Sequence, residues 1–119
     1  MLFRSPVYNN TSAYLNAEHV YVNPTTDVAL MMAICYEMMQ AGVADEKFLK
    51  KYTSGAEEFK AYLNGEAEDK TIKSAEWASR ICGVDANDIK AMAKIFGSKR
   101  TMLMCGWGPQ RAHHGEQFH

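Results

Sequence analysis

Cysteine is sparse in this sequence, with 3 among 119 residues, and Cys35, Cys82 and Cys105 lie far apart. An odd number at such spacing excludes both a paired disulfide framework and a C-x-x-C metal or redox motif. Burial as small hydrophobes is the simpler expectation for all three. A surplus of one charge sign is also missing: 13 basic and 14 acidic side chains leave a formal net charge of -1. That balance removes the electrostatic footprint expected of a nucleic-acid partner. No stretch approaches the roughly 20 apolar residues of a membrane helix. Met1 to Pro6 holds one arginine and no long apolar run, so no targeting signal is read there. No G-x-S-x-G, Walker-type or G-x-G-x-x-G pattern occurs, which withdraws the usual support for serine hydrolase, P-loop and dinucleotide readings.

What remains is a chain with 47% hydrophobic residues and a strong alternation of helix patterns and helix stops. Glu18 to Val22 alternates as a strand, and Asn23-Pro24 ends it. Thr25 and Thr26 are capping residues, Asp27 suits the positive end of a helix dipole, and Val28 to Met39 is apolar almost all round. Gly42 closes that helix. A second helix begins near Ala44 to Glu46, with Phe48, Leu49 and Tyr52 on one face. A third carries Phe59, Tyr62 and Leu63 and stops at Asn64-Gly65. Glu66 to Lys73 reads as a solvated polar loop. Ser74 then caps a helix bearing Trp77 and Ile81, with Gly83 beyond its end. Asp85 caps another, with Ile89, Met92, Ala93 and Phe96 before Gly97.

Thr101 to Cys105 is continuously apolar and predicts a strand buried on both faces. The expected class is therefore α/β, a piece of a Rossmann-like parallel or mixed sheet domain that is helix-rich between two short strands. Two strands are too few for such a sheet, so the chain reads as an internal slice, residues 1–119, of a larger catalytic subunit. Residues 1–5 read as a non-native or truncated start.

Ligands of α/β sheets bind beyond the C-terminal ends of the strands, and both expected strands run into unusual turns. In the first, Thr25, Thr26 and Asp27 offer hydroxyls, a carboxylate and helix N-terminal amides to a polar heterocycle or phosphate; a plain capped helix start is the alternative. A carboxylate accepting two parallel hydrogen bonds suits the N1 and exocyclic amine edge of guanine. In the second, Gly106-Trp107-Gly108-Pro109-Gln110-Arg111, glycines flank a tryptophan and Arg111 offers a forked donor. The alternative there is a core indole and a surface cation. His113, His114 and His119 lack the spacing of a metal site, and no metal ligand is assigned.

At these two turns the sequence resembles the molybdopterin oxidoreductases of the dimethyl sulfoxide reductase family, in the branch that reduces trimethylamine N-oxide, dimethyl sulfoxide or biotin sulfoxide. The likeness runs from about Ser5 to the C-terminus. It passes through Asn23-Pro-Thr-Thr-Asp-Val-Ala-Leu30, Lys51-Tyr-Thr53, Tyr62-Leu63, Glu76-Trp-Ala78, Cys82-Gly-Val84 and Arg100-Thr-Met-Leu-Met104. Gly106 to Arg111 with His113-His-Gly-Glu-Gln117 is its most specific part.

The resemblance implies a molybdenum bis(molybdopterin guanine dinucleotide) cofactor and an S-oxide or N-oxide substrate. It further implies a cytochrome or quinol-linked electron donor and a periplasmic parent enzyme of anaerobic respiration. It implies that Thr25, Thr26 and Asp27 contact a guanosine end of the cofactor. Trp107 and Gly108 would lie against the cofactor near the metal, and Arg111 would stand at the substrate funnel, so that Trp107 and Arg111 are the expected catalytic residues. The serine that ligates molybdenum in that branch has no counterpart here. Ser5-Pro6 stands where relatives commonly have Asp-Pro, and Met1 to Arg4 fall outside the likeness. Pro109 is shared with membrane-anchored subunits, whereas His113 to Gln117 favours the soluble branch. Apart from the resemblance, a standalone helical interaction module and a generic nucleotide-binding α/β domain remain open readings, and the 119-residue chain alone is expected to be inactive.

Overall fold

A computed structural model describes residues 2–5, 7–104 and 106–113. Two short strands, β1 (Leu2–Arg4) and β2 (Glu18–Val20), flank helix α1 (Asn10–Tyr14). Five further helices follow, α2 (Asp27–Gln40), α3 (Glu46–Tyr52), α4 (Ala56–Leu63), α5 (Ala75–Cys82) and α6 (Ala86–Ser98), and a terminal turn of helix, α7 (Trp107–Arg111). The helix-rich reading therefore holds. No described helix is long and apolar enough to cross a membrane.

The sheet differs from expectation. β1 and β2 pair in parallel, with Phe3 opposite His19, and α1 makes the crossover that a parallel pair requires. Both strands lie at the N-terminal end of the chain, one of them in the segment expected to be foreign. Thr101 to Met104, expected as the second strand, is irregular and solvent-exposed: Met102 is 82% and Met104 76% accessible. Apolar composition favours a strand only when neighbouring strands supply its hydrogen bonds and cover its faces, and the described residues supply neither. Cys105 lies outside the described residues.

His19 fastens the crossover unit. Its Nε2 lies 3.0 Å from the Ser5 carbonyl and its Nδ1 3.0 Å from the hydroxyl of fully buried Ser12. A proton on Nε2 satisfies both contacts, because Nδ1 then accepts from the serine.

The core is a three-helix contact. α2 packs on α5 and α6, and Val22, Leu30, Ala33, Ile34, Ala75, Ala78, Cys82, Val84, Ile89, Met92 and Ala93 form one buried cluster. Four of the eleven are alanines, so the helices approach closely, while fully burying Leu30 and Ile89 stabilises the fold by about 1.5–3 kcal/mol each. Cys82 is buried as expected, but Cys35 is exposed on α2. Apolar neighbours crowd one side of it, and that desolvation raises its thiol above the ordinary value.

Capping follows the sequence closely. Asp45, Ser74 and Asp85 accept the amides of Phe48, Trp77 and Asn87. Gly42 and Gly83 adopt left-handed conformations just past α2 and at the end of α5. Gly97, read as a stop, instead lies inside α6, because a Cβ there would come within 2.3 Å of the Val43 side chain. It is a contact glycine rather than a breaker.

The Glu66 to Lys73 connection is not simply solvated. Lys73 is 1% exposed. Its ammonium donates to Asp69 and to the Thr71 carbonyl (2.7 Å), and lies over the rings of Tyr62 (4.4 Å) and Trp77 (5.5 Å). A buried ammonium needs such partners because the solvation it forfeits is worth several kcal/mol. The same bond holds the Asp69 carboxyl below its ordinary range.

Gly97→Ala is expected to destabilise the chain by about 1–2 kcal/mol despite the better helix propensity of alanine, because overpacking against Val43 outweighs it. Urea denaturation checks this, and a stabilised variant would show that Val43 yields without cost. A second expectation concerns acid. The hydrogen bond from Lys90 lowers Glu76 from an ordinary 4.5 to about 2. The depressed carboxyl stabilises the fold above pH 4.5 and loses that contribution as the pH falls towards 2. Thermal unfolding between those limits should show a smaller drop in Glu76→Gln than in the parent chain, and equal drops would remove Glu76 from the acid response.

Candidate functional site

The turn between β2 and α2 is built around Asn23. The Asn23 carbonyl accepts the Thr26 amide at 3.3 Å, closing a four-residue β-turn with Pro24 and Thr25 at its centre. Proline suits the first central position, where φ near −65° is needed. Thr25 occupies the second with φ +67°, a left-handed conformation that normally calls for glycine or asparagine. A β-branched residue held there stores about 1–3 kcal/mol of strain.

Thr26 stands at the helix N-cap but does not cap it through its side chain; its hydroxyl donates back to the Asn23 carbonyl at 2.7 Å. The amides of the first turn of α2 are therefore left without the side-chain acceptor expected of a threonine cap. Asp27 opens the helix half-buried, and its carboxylate takes part in no hydrogen bond or ion pair among the described residues. Thr25 is exposed. Hydroxyls, open amides and an uncommitted carboxylate are thus adjacent at the end of a parallel strand.

The second candidate group has a different form from the one expected. Trp107 to Arg111 is a single helical turn, and the Arg111 guanidinium carbon lies 4.9 Å over the Trp107 ring, as residues four apart on a helix permit. Trp107 is 72% accessible and lies outside the packed core of the described residues. A Cβ at Gly106 or Gly108 would meet nothing within 4 Å. The backbone freedom of these glycines therefore serves no contact within the described residues. Nothing is described for His114 or His119, or for the side chains of Pro109 and Gln110.

No hydrogen bond, ion pair or ring contact among the described residues joins the Thr25–Thr26–Asp27 group to Trp107, Gly108 or Arg111. Clefts among the described residues lie elsewhere. One, about 430 Å³, runs between α2, α3 and α4 and is walled by Met38, Met39, Phe48 and Phe59. Another, about 420 Å³, follows β2 and α6. Among the described residues no group of three or more histidine, cysteine or acidic side chains is placed to hold a metal.

Sequence reasoning read Asn23-Pro24 as the end of the strand but missed that the Asn23 amide and side chain reach α5; no local signal announces a partner that far along the chain.

No protein-family model matches the chain. Relatives match it closely along nearly its whole length. It is 52% identical over 114 residues to the trimethylamine-N-oxide reductase of Haemophilus influenzae and 46% identical over 112 residues to that of Pasteurella multocida. It is 48% identical over 114 residues to the dimethyl sulfoxide/trimethylamine N-oxide reductase of Rhodobacter capsulatus. These matches cover 94–96% of this chain but 14% of each relative. The chain is thus similar to one segment of these reductases and spans about 14% of their length.

Replacing Thr25 by glycine should stabilise the chain by about 1 kcal/mol, since relief of strain exceeds the extra entropy of the unfolded glycine. Chemical denaturation reads this directly, and a destabilised variant would show that Thr25 is not strained.

Proposed function

We propose that the chain is part of a molybdenum-pterin reductase of S-oxides or N-oxides and contributes the turn that holds one guanosine end of the cofactor. The observation that carries this reading is the strained Asn23–Thr26 turn, which presents Thr25, Thr26 and the Asp27 carboxylate, uncommitted among the described residues, beside first-turn amides that no side chain caps. Strain of this kind persists where function needs the geometry. The donor set fits the group: a carboxylate accepts the paired N–H groups of guanine, and hydroxyls and helix amides hold ribose or phosphate oxygens. Thr26 can still accept there, because its proton is already directed to Asn23.

In its assembled form, a bis(molybdopterin guanine dinucleotide) cofactor supplies the two-electron oxygen-atom transfer, and this chain binds and orients. Trp107 and Gly108 would lie against the cofactor, and Arg111 would offer its forked donors to the oxide oxygen. The stacking of Arg111 on Trp107 supports that role, since it pre-orients the guanidinium plane. The parallel pairing of β1 and β2 supports membership of a larger Rossmann-like sheet. The names of the relatives support trimethylamine N-oxide or dimethyl sulfoxide as substrates. A cytochrome or quinol-linked donor and a periplasmic setting complete the reading.

In the full-length protein, Asp27→Asn is expected to lower guanine-dinucleotide and molybdenum content severalfold, as measured by metal analysis and nucleotide release. Full occupancy would remove Asp27 from the cofactor site. Arg111→Ala should slow oxide reduction more than it lowers metal content, and equal losses would recast Arg111 as a cofactor contact.

A further inference from the structure

Asn23 is bonded on two fronts. Its backbone amide donates to the Cys82 carbonyl at 2.9 Å and its side-chain Nδ2 to the Ile81 carbonyl at 3.0 Å. Both acceptors belong to the last turn of α5, where helical carbonyls have no partners of their own. Its own carbonyl meanwhile accepts the amide and the hydroxyl of Thr26. Gly83 makes room for this arrangement: with φ +75°, a Cβ there would stand 3.1 Å from both polar atoms of the Asn23 side chain. The opposite end of α5 is tied to the same helix, because Glu37 of α2 accepts the Ala75 amide at 2.9 Å. The start of α2 is thus referred, through Asn23, to a helix that α2 itself secures.

A β-branched residue relaxes out of the left-handed region unless its surroundings hold it there. Pro24 fixes its own φ at the first central position, and the Thr26 amide and hydroxyl, both bonded to the Asn23 carbonyl, close the turn around Thr25. The anchor for both is the attachment of Asn23 to α5.

We propose that Asn23 is a positioning residue: by locking the turn onto the C-terminal end of α5 it holds Thr25 left-handed and so sets the Thr25–Thr26–Asp27 group for the cofactor. This rests on the cofactor reading given above. Asn23 touches no reacting group and acts through the turn.

A double-mutant cycle on the 119-residue chain, read by chemical denaturation, tests the lock. While Asn23 is present, Thr25→Gly should favour the folded state roughly fivefold, by removing strain. In the Asn23→Ala background the turn has already relaxed, and the same substitution should act within about twofold. Additive effects would overturn the proposal. Should Asn23→Ala fail to fold, Asn23→Asp replaces the Nδ2 donor with an oxygen at constant size and is expected to show the same coupling.

In the full-length protein, Asn23→Ala should lower guanine-dinucleotide content at least threefold while leaving Thr25, Thr26 and Asp27 unchanged in sequence. Unchanged content alongside a loss in Asp27→Asn overturns the positioning role. Unchanged content in both variants means that the cofactor reading has failed, and the positioning role with it, while the coupling in the isolated chain still reports on the lock.

Discussion

The close packing of α2 on α5 is the constraint from which the rest follows. It depends on small side chains: Ala33, Ala75 and Ala78 are all fully buried, so the helix backbones come near enough for polar groups on one to serve the ends of the other. Glu37 reaches the first amide of α5, and the chain entering α2 reaches its last carbonyls. Hydrogen bonds of about 1 kcal/mol each would not hold a strained turn on a mobile platform. They suffice here because burial has already fixed the two helices together.

The rest of the molecule is arranged around this pair. α6 completes the core through Ile89, Met92 and Ala93, while α3 and α4 sit further out and leave Phe48, Tyr52 and Phe59 substantially exposed. Lys60 bridges them by pairing with Glu46 at 2.5 Å and Glu57 at 3.0 Å, an exposed network worth little on its own. The C-terminal end, from Thr101, adds no packed surface among the described residues.

Much of the helical framework was legible in the sequence because caps act locally. Ser74, Asp85, Gly42 and Gly83 each mark a helix end within a few residues of themselves. What was not legible depends on distant partners. Lys73 looks like any loop lysine until Tyr62 and Trp77 enclose it. Gly97 looks like a stop until Val43 is placed against it. Thr101 to Met104 has the composition of a buried strand, but composition cannot provide the neighbours that make one. At the candidate site the residue types were readable, while the left-handed Thr25 and the bonding of Asn23 were not. Both arise from contact with α5, almost sixty residues further along the chain.

The cofactor role of this chain depends on whether the α2 entry turn faces guanine. A crystal structure of the full-length, cofactor-loaded protein is the most direct measurement. It should place the guanine N1 and exocyclic amine within hydrogen-bonding distance of the Asp27 carboxylate, with Thr25 still left-handed. A guanine bound elsewhere, with Asp27 turned to solvent or paired with another part of the protein, would contradict it.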